Sequence, residues 1–300
     1  MKQFFIQLNA TVLLFLAFSF HCMGADTHTL KYKLETGKTY KQNMVTVMNM
    51  KMNSMGQDIN MEMTSEMNIN YYVTGQNNDV FDLRITFQKI KSSMSAPMPF
   101  TVDSDSPENS TDKSLGETFK SLTEIPVDIQ LSSTGKVVSV KGADKLAEKF
   151  NELSNEQFKQ IFDQQFSEKA LQMTFERLSS FFPEKPVAIG DSWDVTMNLN
   201  TNGIDIISKQ KLTLKEVKDN IATLDVTGTL ETPEGGAVLQ IREMDATVSM
   251  KGEQTGTVKM DLKTGWVVNS EMTQNSIQDI GIMGQSMQQK VEVKVTVTAE

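Results

Sequence analysis

The sequence predicts a mainly β, antiparallel protein, built as two related curved sheets or half-barrels with an α-helical insert between them. Three observations carry this expectation. Apolar and polar residues alternate over long stretches of both halves, the middle of the chain changes to a helical period, and three strand–turn segments of the first half recur in order in the second.

The alternation is clearest between Ile59 and Val73. Odd positions there are Ile59, Met61, Met63, Ser65, Met67, Ile69, Tyr71 and Val73, while the even ones from Asn60 to Asn70 are all polar. Period two puts one set on a buried face and the other in water, the pattern of an antiparallel strand with one wet side. The preceding run carries Met44, Met48, Met50 and Met52 on even positions, with Asn49, Lys51 and Asn53 opposite. Asn53-Ser54-Met55-Gly56-Gln57 between the runs reads as a hairpin tip. A second hairpin turns over Gly75-Gln76-Asn77-Asn78-Asp79 into Val80-Phe81-Asp82-Leu83-Arg84-Ile85. Residues 94–116, rich in Ser, Pro, Asp and Glu, read as an acidic loop. A third hairpin pairs Val127–Leu131 with Lys136–Val140 across Ser132-Ser133-Thr134-Gly135.

Helical spacing follows. Asp144 opens a first helix through Leu146, Phe150 and Leu153. Ser154-Asn155-Glu156-Gln157 fits a capping box, in which serine and glutamine satisfy each other's exposed backbone donors. Phe158, Ile161, Phe162 and Phe166 then form one stripe of a second helix. A third runs from Ala170 to Phe182 and stops at Pro183, which cannot continue it. Strands return after Pro186 and run to the end of the chain.

The second strand-rich part echoes the first. Gly37-Lys38-Thr39-Tyr40 matches Gly190-Asp191-Ser192-Trp193, and the segment 79–86 matches 220–227. Leu131-Ser132-Ser133-Thr134-Gly135-Lys136-Val137-Val138 matches Asp261-Leu262-Lys263-Thr264-Gly265-Trp266-Val267-Val268. Three pairs in the same order predict a duplicated β module, with copy 1 over 25–141, a helical insert over 142–186 and copy 2 over 187–300.

Residues 1–24 read as a cleavable signal peptide. Lys2 precedes the apolar run from Val12 to Phe20, too short to span a bilayer, and small residues place cleavage after Gly24 or after Ala25. The expected location is the periplasm, the outer-membrane surface or the exterior. Cys22, the sole cysteine, leaves with the leader, which excludes disulfides, thiol nucleophiles and cysteine-ligated zinc from the mature chain. The remainder, about 275 residues, is ample for a core unaided by cross-links. The formal net charge of −9, one unit more negative without Lys2, argues against nucleic acid and anionic membrane surfaces as partners. No second apolar run reaches spanning length, so no transmembrane segment is expected after the leader.

In these features the chain resembles an uncharacterised family of exported, mostly β proteins from Bacteroidota, a domain of unknown function. The residues that carry the likeness are Phe182-Pro183-Glu184-Lys185-Pro186-Val187-Ala188-Ile189-Gly190-Asp191-Ser192-Trp193, Thr134-Gly135-Lys136-Val137 and Gly37-Lys38-Thr39-Tyr40. The resemblance implies an envelope or secreted location and a mostly β structure. It brings no activity, cofactor or site residue.

Catalytic patterns are missing. Only His28 remains in the mature chain, so triads and histidine-ligated metal sites lack their essential part. Asp103-Ser104-Asp105-Ser106-Pro107-Glu108 departs from a calcium loop, because Pro107 stands where a ligand belongs. No enzyme activity and no cofactor are expected.

The unusual feature is methionine. Met44, Met48, Met50, Met52, Met61, Met63 and Met67 fall on one parity of two strands. Three readings stand open. These residues fill an ordinary core, or they line a pocket for a greasy ligand, since an unbranched polarizable side chain repacks around varied shapes. Alternatively their thioethers hold Cu(I) or Ag(I). The expectation drawn is an exported, non-enzymatic binding protein for an apolar small molecule or another envelope protein, the ligand held between sheet and helices. A structural or protein–protein interaction module is the alternative.

Overall fold

The structure, a computed structural model, describes residues 26–54, 57–95, 99–151, 167–201, 204–241, 244–282 and 285–300. The leader, the tip residues Met55 and Gly56, and the helix expected from Phe158 to Phe166 lie outside the described residues.

Alternation is realised as long antiparallel strands. In the first half β2 (Thr39–Ser54), β3 (Gln57–Asn77) and β4 (Val80–Met94) form a meander, extended by β6 (Val127–Ser132) and β7 (Val137–Lys141). In the second, β9 (Ser192–Thr201), β10 (Ile204–Lys218), β11 (Ile221–Glu231), β13 (Met244–Asp261) and β14 (Val267–Ile282) run antiparallel, and β15 (Gln285–Ala299) is the last strand. The two halves join in one sheet of order β7-β6-β4-β3-β2-β15-β14-β13-β11-β10-β9. Short β5 (Phe100–Asp103) lies beside β4, and β12 (Ala237–Ile241) beside β13. The end strands β7 and β9 do not pair, so the sheet is not closed into a barrel.

One local contact pattern is alike in the two halves. Gly37 N–H donates to Val73 O at 2.9 Å, and Gly190 N–H to Leu214 O at 2.7 Å. Val73 and Leu214 return the bond to Lys38 O and Asp191 O, and a ladder bulge follows each at Val73/Gly75 and Leu214/Glu216.

The acidic stretch is more ordered than its composition suggests. It holds β5, a 3-10 turn at Pro107–Asn109 and helix α1 (Lys113–Leu122). The Asp112 carboxylate caps α1 by accepting from the Ser114 and Leu115 amides. Leu115, Phe119 and Leu122 fall at i, i+4 and i+7 and are buried; that spacing lies partly beyond the acidic run and is easily taken for loop. Helix α2 (Ala143–Asn151) begins where the first helix was expected. Helix α3 (Glu168–Ser179) is capped by Ser167 and ends before Pro183.

The main core lies between the first half of the sheet and the helices, with Leu83, Ile85, Phe87, Ile129 and Leu131 meeting Leu115, Phe119, Leu146, Leu171 and Phe175. Helix α3 also touches both end strands, β7 and β9, and so lies across the unpaired seam. A second core joins Leu212, Leu214, Leu224 and Met260 to Leu30, Phe181 and Val187. The N-terminal segment is thus a strap. Strand β1 (Thr27–His28) pairs with β8 (Val187–Ala188), Tyr32 N–H donates to Ser133 O at 2.8 Å, and Lys33 N–H to Thr264 O at 2.7 Å. Tyr32, Tyr40 and Tyr71 gather around Trp266, with ring centroids 4.9 Å apart for Tyr40 and 5.0 Å for Tyr71.

The two repeated Thr-Gly turns are seats for these covering segments. Gly135 O accepts from Ser179 Oγ at 2.6 Å and Ser180 Oγ at 2.9 Å, while Gly265 lies against the strap. Both glycines have positive φ, and a Cβ would stand 1.9 Å from Ser179 O at Gly135 and 2.1 Å from Lys31 O at Gly265. Gly135→Ala and Gly265→Ala should each cost about 2–4 kcal/mol in urea unfolding. Gly37→Ala, with a similar φ but open space, should cost about 1 kcal/mol.

Burial pushes the Tyr32 and Tyr71 phenols well above the ordinary range, and for Tyr32 the neighbouring Tyr71 adds to it. The folded protein therefore keeps protons that the unfolded chain releases near pH 10, so their stabilisation is intact below about pH 10 and is lost as pH rises above it. The urea midpoint should be level to about pH 9 and fall beyond pH 10, less steeply in Tyr32→Phe.

Candidate ligand-binding site

Side chains of directly opposed residues share a face, so the register defines rows that cross the sheet. One row reads Met61–Met50–Val291–Ser276–Gly252–Leu230–Ser208–Met197, from β3 to β9. The next reads Met94–Met63–Met48–Val293–Gln274–Gln254–Gly228–Gln210–Val195. This face continues into Ile69, Tyr71, Leu83 and Ile85, which are buried under the helices, so it is the inward one. In the rows just given and in the buried cores it carries no Asp, Glu, Lys or Arg among the described residues.

A cavity of about 890 Å³ lies on this face. Its inward-parity lining is Met50, Met61, Val291, Ser276, Gly252 and Leu230, and the flanking residues that complete it include charged ones, Lys51, Glu62, Lys251, Glu253, Lys290 and Glu292 among them. Met61 and Leu230 are separated by β2, β15, β14 and β13, a span of about 24 Å in a flat sheet at ordinary strand spacing. Lining one chamber together requires a strongly coiled sheet.

The structure divides the predicted methionine stripe. Met50 and Met61 oppose one another and line the cavity. Met67 packs against the helix-covered core, opposite Met44. Met48 and Met63 form the next opposed pair, and Met52 faces Ile59. All seven are inward, and all are half-buried. The stripe also extends beyond the predicted set, because Met94, Met197, Met250, Met272 and Met287 have the same inward parity. Each stands on an alternating strand, so parity could have found them. Their sequence spacing is too wide to look like a cluster.

Polar members of the inward face come mainly from the second half. Gln254 Nε2 donates to Ser208 Oγ at 2.9 Å, and Gln289 donates its amide to Gln278 Oε1. Ser276 is 5% exposed, and its hydroxyl has no hydrogen-bond partner. No group of three or more potential His, Cys, Asp or Glu metal ligands occurs among the described residues. Asp103, in the acidic stretch, pairs with Lys91 at 3.1 Å. Burial raises its pKa, but the Lys91 ammonium and the Asp105 amide more than offset that and hold its carboxyl below the usual carboxylate range.

The outward set is polar. Asn43 donates to Asn68 across β2 and β3, Asn49 to Glu292, and Lys51, Glu62, Lys251, Glu253 and Lys290 are exposed. A lipid-embedded barrel needs an apolar band outward, whereas here the methionines point in and the outward apolar residues, Val45, Val47, Tyr72 and Ile277 among them, are interspersed with charges. Among the described residues no helix is long and apolar enough to cross a membrane.

Residues 78–267 match the family described as "Family of unknown function (DUF6263)". The chain belongs to that family. No protein of curated description matches it. Solved structures that show some similarity include Pseudomonas aeruginosa OccK5 (OpdH), 5% identical with a TM-score of 0.23, covering 88% of this chain and 99% of that one. Another is the COG4313 outer membrane channel from Pseudomonas putida F1, 5% identical with a TM-score of 0.21, covering 90% and 97%. The outer membrane protein opdK from Pseudomonas aeruginosa is 6% identical with a TM-score of 0.20, covering 88% and 100%. Scores this low do not establish a common fold.

The assignment of faces in this DUF6263 chain is directly measurable. In a Cys22→Ser background, Glu62→Cys should react with an anionic maleimide at least about tenfold faster than Met61→Cys. Equal rates would show that Met61 does not face an enclosed space.

Proposed function

We propose that this protein is an exported, non-enzymatic binding protein for an apolar molecule held in the chamber of the coiled sheet. The observation that carries the reading is the cavity, about 890 Å³ with Met50, Met61, Val291 and Leu230 on its walls. That volume falls in the range of small-molecule pockets, and Met50, Met61, Leu230 and Val291 give the wall its apolar part. Methionine suits such a wall because it adapts to varied apolar shapes without a fixed rotamer. Export is supported by the signal-like residues 1–24 and by a remaining sequence free of cysteine.

Hydrophobic dye titration and native mass spectrometry of protein purified from its host test this reading. The dye should bind with enhanced fluorescence, and Met50→Trp combined with Leu230→Trp should weaken it about fivefold or more by narrowing the chamber. A uniformly ligand-free protein that also ignores the dye refutes the proposal.

The opposed pairs Met48–Met63 and Met50–Met61 support a second reading, Cu(I) or Ag(I) held by thioethers. Competition with a Cu(I) chelator, abolished when these four become leucine, is its signature. Absence of competition in the wild type ends it.

A further inference from the structure

We infer that Met50 and Met61 are a redox-sensitive modification site: hydrogen peroxide converts their thioethers to sulfoxides, and the chamber then releases its apolar ligand. This rests on the binding reading above. Met50 and Met61 oppose one another on β2 and β3, both line the cavity, and both are half-buried. A cavity of about 890 Å³ admits peroxide, a molecule little larger than water. Outside residues 1–24 the sequence has no cysteine, so no thiol competes and the thioethers are the sulfur that an oxidant meets. Other methionines of the sheet supply the contrast. Met250 is 5% exposed and Met260 0%, and neither lines the cavity.

The step is a two-electron oxidation of sulfur. A sulfur lone pair attacks one peroxide oxygen, and the O–O bond breaks as the S–O bond forms. The proton of the transferred oxygen passes to the departing hydroxide, which leaves as water. Each sulfoxide puts a polar, chiral group where an adaptable apolar one stood. Its S–O dipole is hydrated in an empty chamber, and seating an apolar ligand over it strips that water at a cost. Because the two residues are directly opposed, both dipoles fall on one patch of wall, the patch that Val291 continues from Met50. Enzymes that reduce sulfoxides restore the thioether, so the change is reversible.

The test treats the purified protein with hydrogen peroxide, follows each methionine by peptide mass spectrometry and titrates a hydrophobic dye at each time point. Met50 and Met61 should gain oxygen at least about tenfold faster than Met250 and Met260, and dye affinity should fall about tenfold in step with them. In Met50→Leu/Met61→Leu, which keeps every other methionine, the ratio of affinities before and after peroxide should shrink to about one. Where that variant binds no dye, the wild-type time course decides. Methionine sulfoxide reductase with dithiothreitol should return the oxidised wild type to its starting affinity. Equal oxidation rates, an affinity that holds while both residues are oxidised, or a loss that follows another methionine refutes the site, while dye binding by untreated protein leaves the chamber reading standing. Untreated protein that ignores the dye overturns both.

Discussion

The hydrogen-bonded register between the last strand and the first long one makes this molecule a single surface. β15 runs against β2 from Ala299↔Gln42 to Gln289↔Met52, joining residues more than two hundred positions apart in the chain. Without that ladder, the first half would end in an open edge at β2 and the second at β15, both long and prone to pairing with other chains. A slip of one residue would turn Lys290 and Lys294 inward and Val291 and Val293 out. The uncharged interior holds the register as firmly as the backbone bonds do.

Coiling follows from the same continuity. One sheet must bring its two ends toward each other, and helix α3 covers the seam where β7 and β9 fail to pair. Among the described residues, helices and strap fill the space on one side, over Tyr71, Leu83 and Trp266, and the cavity lies on the rows through Met50 and Met61. Its inward wall draws Met50 and Met61 from β2 and β3, and Val291, Ser276, Gly252 and Leu230 from the second half.

Much of the fold was legible because strand alternation is local. The parity of Met44 to Met67 needed no partner strand to read, and the hairpin at Thr134-Gly135 declared itself by its turn residues. Helix α1 was harder, since its apolar residues follow an acidic run that looks like loop and its cap, Asp112, belongs to that run. The first-half methionines stood out as a cluster. Met197, Met250, Met272 and Met287 did not, although each has the same inward parity. Ser276 carried no signal at all, as a serine on an alternating strand is unremarkable until its surroundings are known.

The sequence by itself determined which side of each strand is apolar, where the strands turn, and that the inward face holds methionine rather than charge. Those properties follow from the covalent spacing of side chains along an extended chain. Only the tertiary structure decided that the two halves form one sheet, that Met50 meets Val291 and Ser276 lies across from Gly252, and that a chamber remains beside the core. Those facts depend on register between distant strands and on where the helices stop, which no local period encodes.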